Sequence, residues 1–352
     1  MSDDAVDRDW LGAVLGVAVE SVEVTTTDAF NSRTARLRVR YREPDVALPT
    51  HLVLKRNTQA SWAVTAGQDE AAFYALARQV EPPGIVPSLA SGVDERTEDS
   101  FVLLEDLSAT HVPPVTRSRQ IALDGVPEPG PLAACVTTLA RHHAFWWGHP
   151  ALESGTFEVG HWSRDAERSA AYAERRRGAW TRLDLADLGA GTRRLYDAVL
   201  AGIERHGSLW LEPRFDRHRN LTLGHGDAYF ANFLVPVSDA GQTYLIDWQG
   251  PEVDHCGNDL ANLLATFWTP EQRHDGDREL DCLRLYHHTL VDAGVADYTW
   301  DDLVLDYRSG LLYWLLVPVQ DAADGSDPSY WRPKMGCLES AVRDWECLDL
   351  LT

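Results

Sequence analysis

From about residue 132 onward the sequence reads almost entirely as helix, and one stretch breaks that pattern. Residues 221–248 run LTLGHGDAYFANFLVPVSDAGQTYLIDW. Phe233-Leu234-Val235 and Tyr244-Leu245-Ile246 are short apolar runs of strand type. The segment between them, Ser238-Asp239-Ala240-Gly241-Gln242, has turn chemistry. A hairpin here puts Asn232, just before its first strand, and Asp247, just after its second, at the same end. Asp227 lies a few residues further along the loop. Three hard oxygen-bearing side chains converge, inside a region whose helices are expected near 132–147, 163–183, 192–207, 257–268, 277–293, 301–318 and 333–349.

The first hundred residues read differently. In TARLRVRYR (34–42), Ala35, Leu37, Val39 and Tyr41 alternate with Arg36, Arg38, Arg40 and Arg42. Period two with one apolar face predicts a half-buried antiparallel strand. HLVLKR (51–56) and FVLLE (101–105) predict two more strands, and QDEAAFYALARQV (68–80) predicts a helix ended by Pro82, Pro83 and Gly84. Residues 108–131, with five prolines and two glycines, read as a linker. The expected plan is α+β: a small β-rich lobe over 1–106, then a larger, mainly helical lobe over 107–352.

Clustered carboxylate and amide oxygens without thiolates suit Mg²⁺ together with phosphate and water. Phosphoryl transfer asks for that metal, for positioned phosphates and for one carboxylate beside the attacking hydroxyl. Asp227 suits the last role, and Asn232 and Asp247 the first. Taken singly, each is also what an ordinary polar hairpin end contains.

As a compound pattern, His225-Gly226-Asp227, four residues, Asn232, then Ile246-Asp247-Trp248 resembles the catalytic loop and metal segment of the aminoglycoside phosphotransferase and choline kinase-like family. Gly257-Asn258-Asp259-Leu260-Ala261 is similar to a further segment of it, as are LARHHAFWWGHP (139–150) and the stretch from Trp331 to Leu348. The resemblance implies a two-lobed protein-kinase-like fold. It also implies a small-molecule O-phosphotransferase that moves the γ-phosphoryl of ATP or GTP, with Mg²⁺, to an alcohol of an antibiotic or a metabolite.

A kinase-like fold requires a Lys on its third strand, paired with a helix Glu. Lys55 in Val53-Leu54-Lys55 and Glu70 in the next helix meet that demand. Of 32 basic residues only two are Lys, and one of them stands here. The resemblance further places the inter-lobe hinge at Leu103–Leu107, where backbone near Glu105 and Leu107 would take the adenine edge. The loop meant to cover the phosphates, Thr26 to Thr34, has no glycine. Ser32 or Asn31 would have to add a donor there, because Gly is what normally permits close backbone approach. His225 is expected to brace its loop and Asp259 to tie that loop to the following helix. His142-His143 and His287-His288 do not share a helical face, which weakens a zinc reading.

A net charge of −22 over 352 residues disfavours nucleic acid and anionic membrane as partners. A solvated acidic surface is the simpler account of it, and a pocket for a cationic acceptor is the alternative. Five scattered Cys without a C-x-x-C pair, and no apolar run near about 20 residues, predict a cytoplasmic protein. Two other readings remain open: a non-catalytic kinase-like nucleotide-binding module, and a metal-dependent hydrolase using the His and Asp residues of the central loop.

Overall fold

The computed structural model describes residues 6–28, 32–58, 60–94, 96–184, 188–238 and 241–351. Its contacts divide the chain into two compact units. One comprises Met1–Val112 with Pro236–Ala240 and Ile246–Gly250; the other comprises Pro113–Val235, Gly241–Leu245 and Pro251–Thr352.

The first unit opens with helix α1 (Arg8–Leu15), which the sequence reading did not anticipate. Asp7 caps it by accepting the N–H groups of Asp9 and Trp10, and Gly16 ends it at φ 69°. Strands β1 (Val19–Asp28), β2 (Ser32–Tyr41), β3 (His51–Asn57), β4 (Ser88–Val93) and β5 (Ser100–Glu105) form one antiparallel sheet in the order β1-β2-β3-β5-β4. The alternation in β2 decides its orientation. Ala35, Leu37 and Val39 are buried with Leu11, Leu52, Leu54 and Leu103, while Arg36, Arg38 and Arg40 face outward.

Helix α2 (Ser61–Val80) packs on β4 and β5 and begins seven residues before the expected 68. Gly67 lies inside this helix. A Cβ there would lie 2.4 Å from Ser100 Oγ and 2.7 Å from Asn57 Cβ, so this glycine permits a close approach of helix to sheet and does not end the helix. Asn57 Oδ1 accepts the Ser100 N–H at 2.7 Å beneath it.

The second unit is built from helices. The supposed linker holds β6 (His111–Val112), still in the first unit, and α3 (Arg117–Ile121). Then come α4 (Pro129–Trp146), α5 (Ala166–Arg182), α6 (Ala190–His206), α7 (Glu212–Arg217), α8 (Gly257–Ala265), α9 (Pro270–His274), α10 (Arg278–Asp292), α11 (Trp300–Leu315), α12 (Val317–Ala323) and α13 (Pro328–Asp344). A three-stranded sheet in the order β7-β11-β8 sits among them, made of β7 (Glu158–Val159), β8 (Thr222–Gly224) and β11 (Glu252–Asp254). Between β8 and β11 lies the anticipated hairpin, β9 (Phe233–Pro236) with β10 (Tyr244–Leu245), paired Phe233 to Leu245 and Leu234 to Tyr244.

Two glycines set the closest helix packing. A Cβ on Gly257 would lie 1.8 Å from the Asp306 carbonyl oxygen, and one on Gly310 2.1 Å from the Gly257 carbonyl oxygen. Backbone therefore meets backbone where α8 crosses α11. This is why the Gly257-Asn258-Asp259 segment starts with glycine.

Candidate active site

In the first unit three charged side chains gather. Lys55 Nζ lies 2.8 Å from Glu70 Oε2 and also contacts the Asp247 carboxylate. The Lys side chain is 15% exposed and that of Glu70 4%, whereas Asp247 keeps 34%, so the triad opens to solvent through Asp247. Burial pulls the Lys55 ammonium down, but the charges of Glu70 and Asp247 outweigh it and its pKa is raised. Lys55 is therefore a fixed cation at neutral pH.

The geometry follows from helix periodicity. Glu70 and Phe73 are three apart on α2 and share a face. Phe73 stacks on Trp248 with centroids 3.9 Å apart and planes at 11°, and both rings are buried. Asp247 directly precedes Trp248, so one helix face grips Lys55 through Glu70 and anchors Asp247 through its neighbour. Asp247 has φ 69°, and its carbonyl accepts the Gln249 N–H at 3.0 Å. Asp is among the few side chains that tolerate such a backbone conformation.

In the second unit the loop after β8 is held from below. Asp259, on α8, accepts the N–H groups of His225 at 2.6 Å and Gly226 at 2.9 Å. It also receives His143 Nε2 at 3.0 Å, and the opposite nitrogen of that ring meets Tyr286 Oη at 2.6 Å. Burial raises the pKa of the Asp259 carboxyl, but the bonds and charges of His143 and His225 outweigh it and hold it below the ordinary value. Gly226 turns the chain at φ 81°. The Asp227 N–H then donates to His225 Nδ1 at 3.2 Å. His225 thus braces the loop and Asp259 ties it to its helix.

Asp227 and Asn232 also meet. Asn232 Nδ2 donates to the Asp227 carbonyl at 2.9 Å, which turns Asn232 Oδ1 the other way, and among the described residues that oxygen accepts no hydrogen bond. Asp227 Oδ1 accepts Asn262 Nδ2 at 3.4 Å. The hairpin register pairs Phe233 with Leu245. In sequence Asn232 adjoins the first of these, and Asp247 lies two residues beyond the second. Asn232 Oδ1, in the second unit, and the partly exposed Asp247 carboxylate, in the first, are each hard oxygen donors of the kind that Mg²⁺ takes. Among the described residues no group of three or more His, Cys, Asp or Glu is placed to hold a metal ion.

Of the other expected residues, Ser32 opens β2 opposite Asn57, but its side chain and residues 29–31 lie outside the described residues. Glu105 ends β5, and its N–H goes to the Pro87 carbonyl at 3.0 Å. The Asp106 N–H goes to the His51 carbonyl at 3.0 Å. Among the described residues the Leu107 N–H has no partner, which leaves it open to a ligand. Asp254 is 2% exposed and accepts the His255 N–H at 2.7 Å and Asn258 Nδ2 at 3.2 Å.

Asn262, Tyr286 and the role of His143 escaped the sequence reading. Asn262 carried a signal, standing three residues after Asp259 on the same helical face. His143 carried none, since its partners are 116 and 143 positions away.

The architecture is that of the protein-kinase-like phosphotransferases. A Ralstonia eutropha protein classed as an aminoglycoside phosphotransferase shares it with TM-score 0.58 and 15% identity over 98% of each chain. The GDP complex of aminoglycoside 2'-phosphotransferase-IIIa matches with TM-score 0.55 and 13% identity over 97% of this chain and 99% of that one. Ethanolamine kinase from Plasmodium vivax matches with TM-score 0.56 and 12% identity over 93% and 85%. Residues 184–295, which contain the catalytic-type loop and hairpin, match the family model described as the Ecdysteroid kinase-like family. No curated protein sequence matches. The likeness read from the motifs to aminoglycoside phosphotransferases and choline kinase-like proteins therefore holds at the level of the fold.

Proposed function

We propose that the chain is a small-molecule kinase that transfers the γ-phosphoryl group of ATP or GTP to a substrate hydroxyl. The observation that carries this reading is the ion triad of Lys55, Glu70 and Asp247, drawn together from positions 15 and 192 residues apart. A strand Lys held by a helix Glu beside a hairpin-end Asp is the phosphate and metal machinery of kinase-like sites.

In this reading Lys55 binds the nucleotide phosphates and Glu70 fixes its position. The Leu107 N–H and the Glu105 carbonyl receive the adenine edge, and Ser32 offers a donor toward the phosphates. Asn232 Oδ1 and Asp247 would hold Mg²⁺, which would neutralise charge on the phosphate oxygens. Asp227 orients the acceptor hydroxyl and takes its proton, steadied by the Asn262 bond to its Oδ1. Lys55 bridges Glu70 and Asp247 in the structure, so nucleotide phosphates would compete with Asp247 for the ammonium and release that carboxylate toward the metal.

The test is Asp227→Asn. Orientation and proton acceptance act in the transition state, so transfer falls by at least about a thousandfold while nucleotide affinity changes little. Mass spectrometry of product formed from Mg·ATP and a hydroxyl-compound panel reads the first quantity, and titration calorimetry the second. Wild-type turnover in the variant rules the role out.

A further inference from the structure

The segment that follows β5 is pinned on both sides of one open donor. Its backbone groups alternate in direction, as in a strand. The Glu105 N–H reaches the Pro87 carbonyl at 3.0 Å, and the Asp106 N–H turns the other way, to the His51 carbonyl at 3.0 Å. The Leu107 carbonyl accepts the N–H groups of Thr110 at 3.0 Å and His111 at 2.9 Å. Next along the chain, the Ser108 N–H donates to Asp106 Oδ1 at 2.9 Å. The N–H groups on either side of Leu107, and the Leu107 carbonyl itself, are therefore all engaged within the first unit. The Leu107 N–H has no partner among the described residues.

The Asp106 side chain does much of this pinning. While Oδ1 takes the Ser108 N–H, Oδ2 lies 3.5 Å from Arg36 Nε. Arg36 stands on β2 opposite Val53, and β3 lies between β2 and β5 in the sheet. Its side chain thus crosses a whole strand to reach the carboxylate. Arg38 and Arg40, on the same outward face, turn instead to Glu23 and Glu20, each at 3.9 Å. The Asp106 side chain is 11% exposed, against 59% for Arg36. A carboxylate covered to that degree loses hydration, and the Ser108 N–H and the Arg36 guanidinium offset the loss.

We infer that Asp106 is a positioning residue for nucleobase recognition: its carboxylate, strapped by Arg36, fixes the direction of the Leu107 N–H toward a ring nitrogen of adenine. Neither side chain touches the base. The gain is preorganisation, since a donor held in place before the ligand arrives costs less ordering on binding. The inference rests on the reading of residues 105–107 as the segment that takes the adenine edge.

Titration calorimetry on the full-length chain tests this with three probes: Mg·ATP, its 1-deaza analogue and Mg·tripolyphosphate. The analogue lacks the ring nitrogen that would accept from Leu107, and tripolyphosphate lacks the base. Asp106→Ala releases the Ser108 N–H and Arg36 together, and ATP affinity falls about tenfold. Asp106→Asn keeps an acceptor for Ser108 without the ion pair, and Arg36→Met removes the Arg36 hold alone. Each of these two lowers ATP affinity about threefold. Affinities for the 1-deaza analogue and for tripolyphosphate change less than about twofold in all three variants, because neither ligand uses the Leu107 donor. Circular dichroism confirms folding, and the two milder variants carry the test where Asp106→Ala does not fold. Absence of ATP binding by the wild type, unchanged ATP affinity in the folded variants, or equal losses for ATP and its 1-deaza analogue, as a merely structural role would give, overturns the inference. ATP binding by a wild-type protein that phosphorylates no alcohol refutes the kinase reading alone. Phosphoryl transfer to an alcohol, with ATP affinity intact in the variants, refutes the role of Asp106 alone.

Discussion

Asn262 separates two things a single residue can do at such a site. Its amide reaches Asp227 Oδ1 at 3.4 Å. It is therefore a positioning residue for the carboxylate. Asn262→Ala leaves Asp227 chemically intact but without this bond. Misorientation of this order costs on the order of 10- to 100-fold in rate. Steady-state kinetics with Mg·ATP should show that loss in kcat, with the KM for nucleotide within about a factor of two, since a side chain acting only in the transition state leaves ground-state binding alone. A rise in nucleotide KM with unchanged kcat would move Asn262 to the binding machinery instead. Lys55 poses the complementary question. Arg is the common cation of this chain, but a planar fork cannot occupy the space of an ammonium held 2.8 Å from Glu70. Lys55→Arg is expected to lower nucleotide affinity about tenfold or more, measured by calorimetry.

At the scale of elements, the crossing of α8 and α11 is the least tolerant place in the second unit. Gly310→Ala would drive a methyl group to within 2.1 Å of the Gly257 carbonyl oxygen, a backbone atom that no rotamer change can move. Overpacking against backbone costs about 3 kcal/mol. The urea midpoint should drop accordingly, and since α8 carries Asp259 and Asn262, residual activity should fall with it. Alanine at Gly336, where a Cβ meets nothing within 4 Å, serves as the control. The same comparison explains what could be read from sequence. The alternation of β2, the hairpin and the oxygen-bearing ends of that hairpin are local patterns, so periodicity and turn chemistry reveal them. The close approaches that Gly67 and Gly257 permit were not legible, because a sequence does not say what lies opposite a missing Cβ. The stack of Phe73 on Trp248, the bond of His143 to Asp259 and the short α3 within a proline-rich stretch depend on partners far along the chain, where no local period reaches.

The whole molecule carries an acid-sensitivity that its active-site chemistry does not require. His206 and His255 are buried in the second unit, and burial lowers their pKa values to about 3 and about 4. His255 spends its Nδ1 accepting the Gly257 N–H at 3.2 Å, at the same helix crossing. In the unfolded chain both titrate near 6.5. Between the folded and unfolded values the unfolded state binds more protons, so stability rises with pH there. The contribution is complete above about pH 6.5, is lost as pH falls toward about 4, and levels off below the folded values. At about 1.4 kcal/mol per pH unit, each histidine removes about 2 kcal/mol between pH 6.5 and 5. The Asp259 carboxylate, held below its ordinary pKa, adds to the loss only under more acidic conditions, as pH falls through its folded value. The raised pKa values of buried Glu252, Glu70 and Asp306 act in the opposite direction, so the histidine contribution is read as the difference between wild type and a histidine variant in the shift of the urea midpoint from pH 7.5 to 5.0. His255→Asn retains a side-chain acceptor for Gly257 but cannot be protonated, so it should remove about a third of the histidine contribution to that slope while costing stability at neutral pH. A variant with the wild-type slope would mean that His255 is not the group whose protonation opens the helix crossing, and the acid loss would then fall to His206 and His142, both of which burial also holds low.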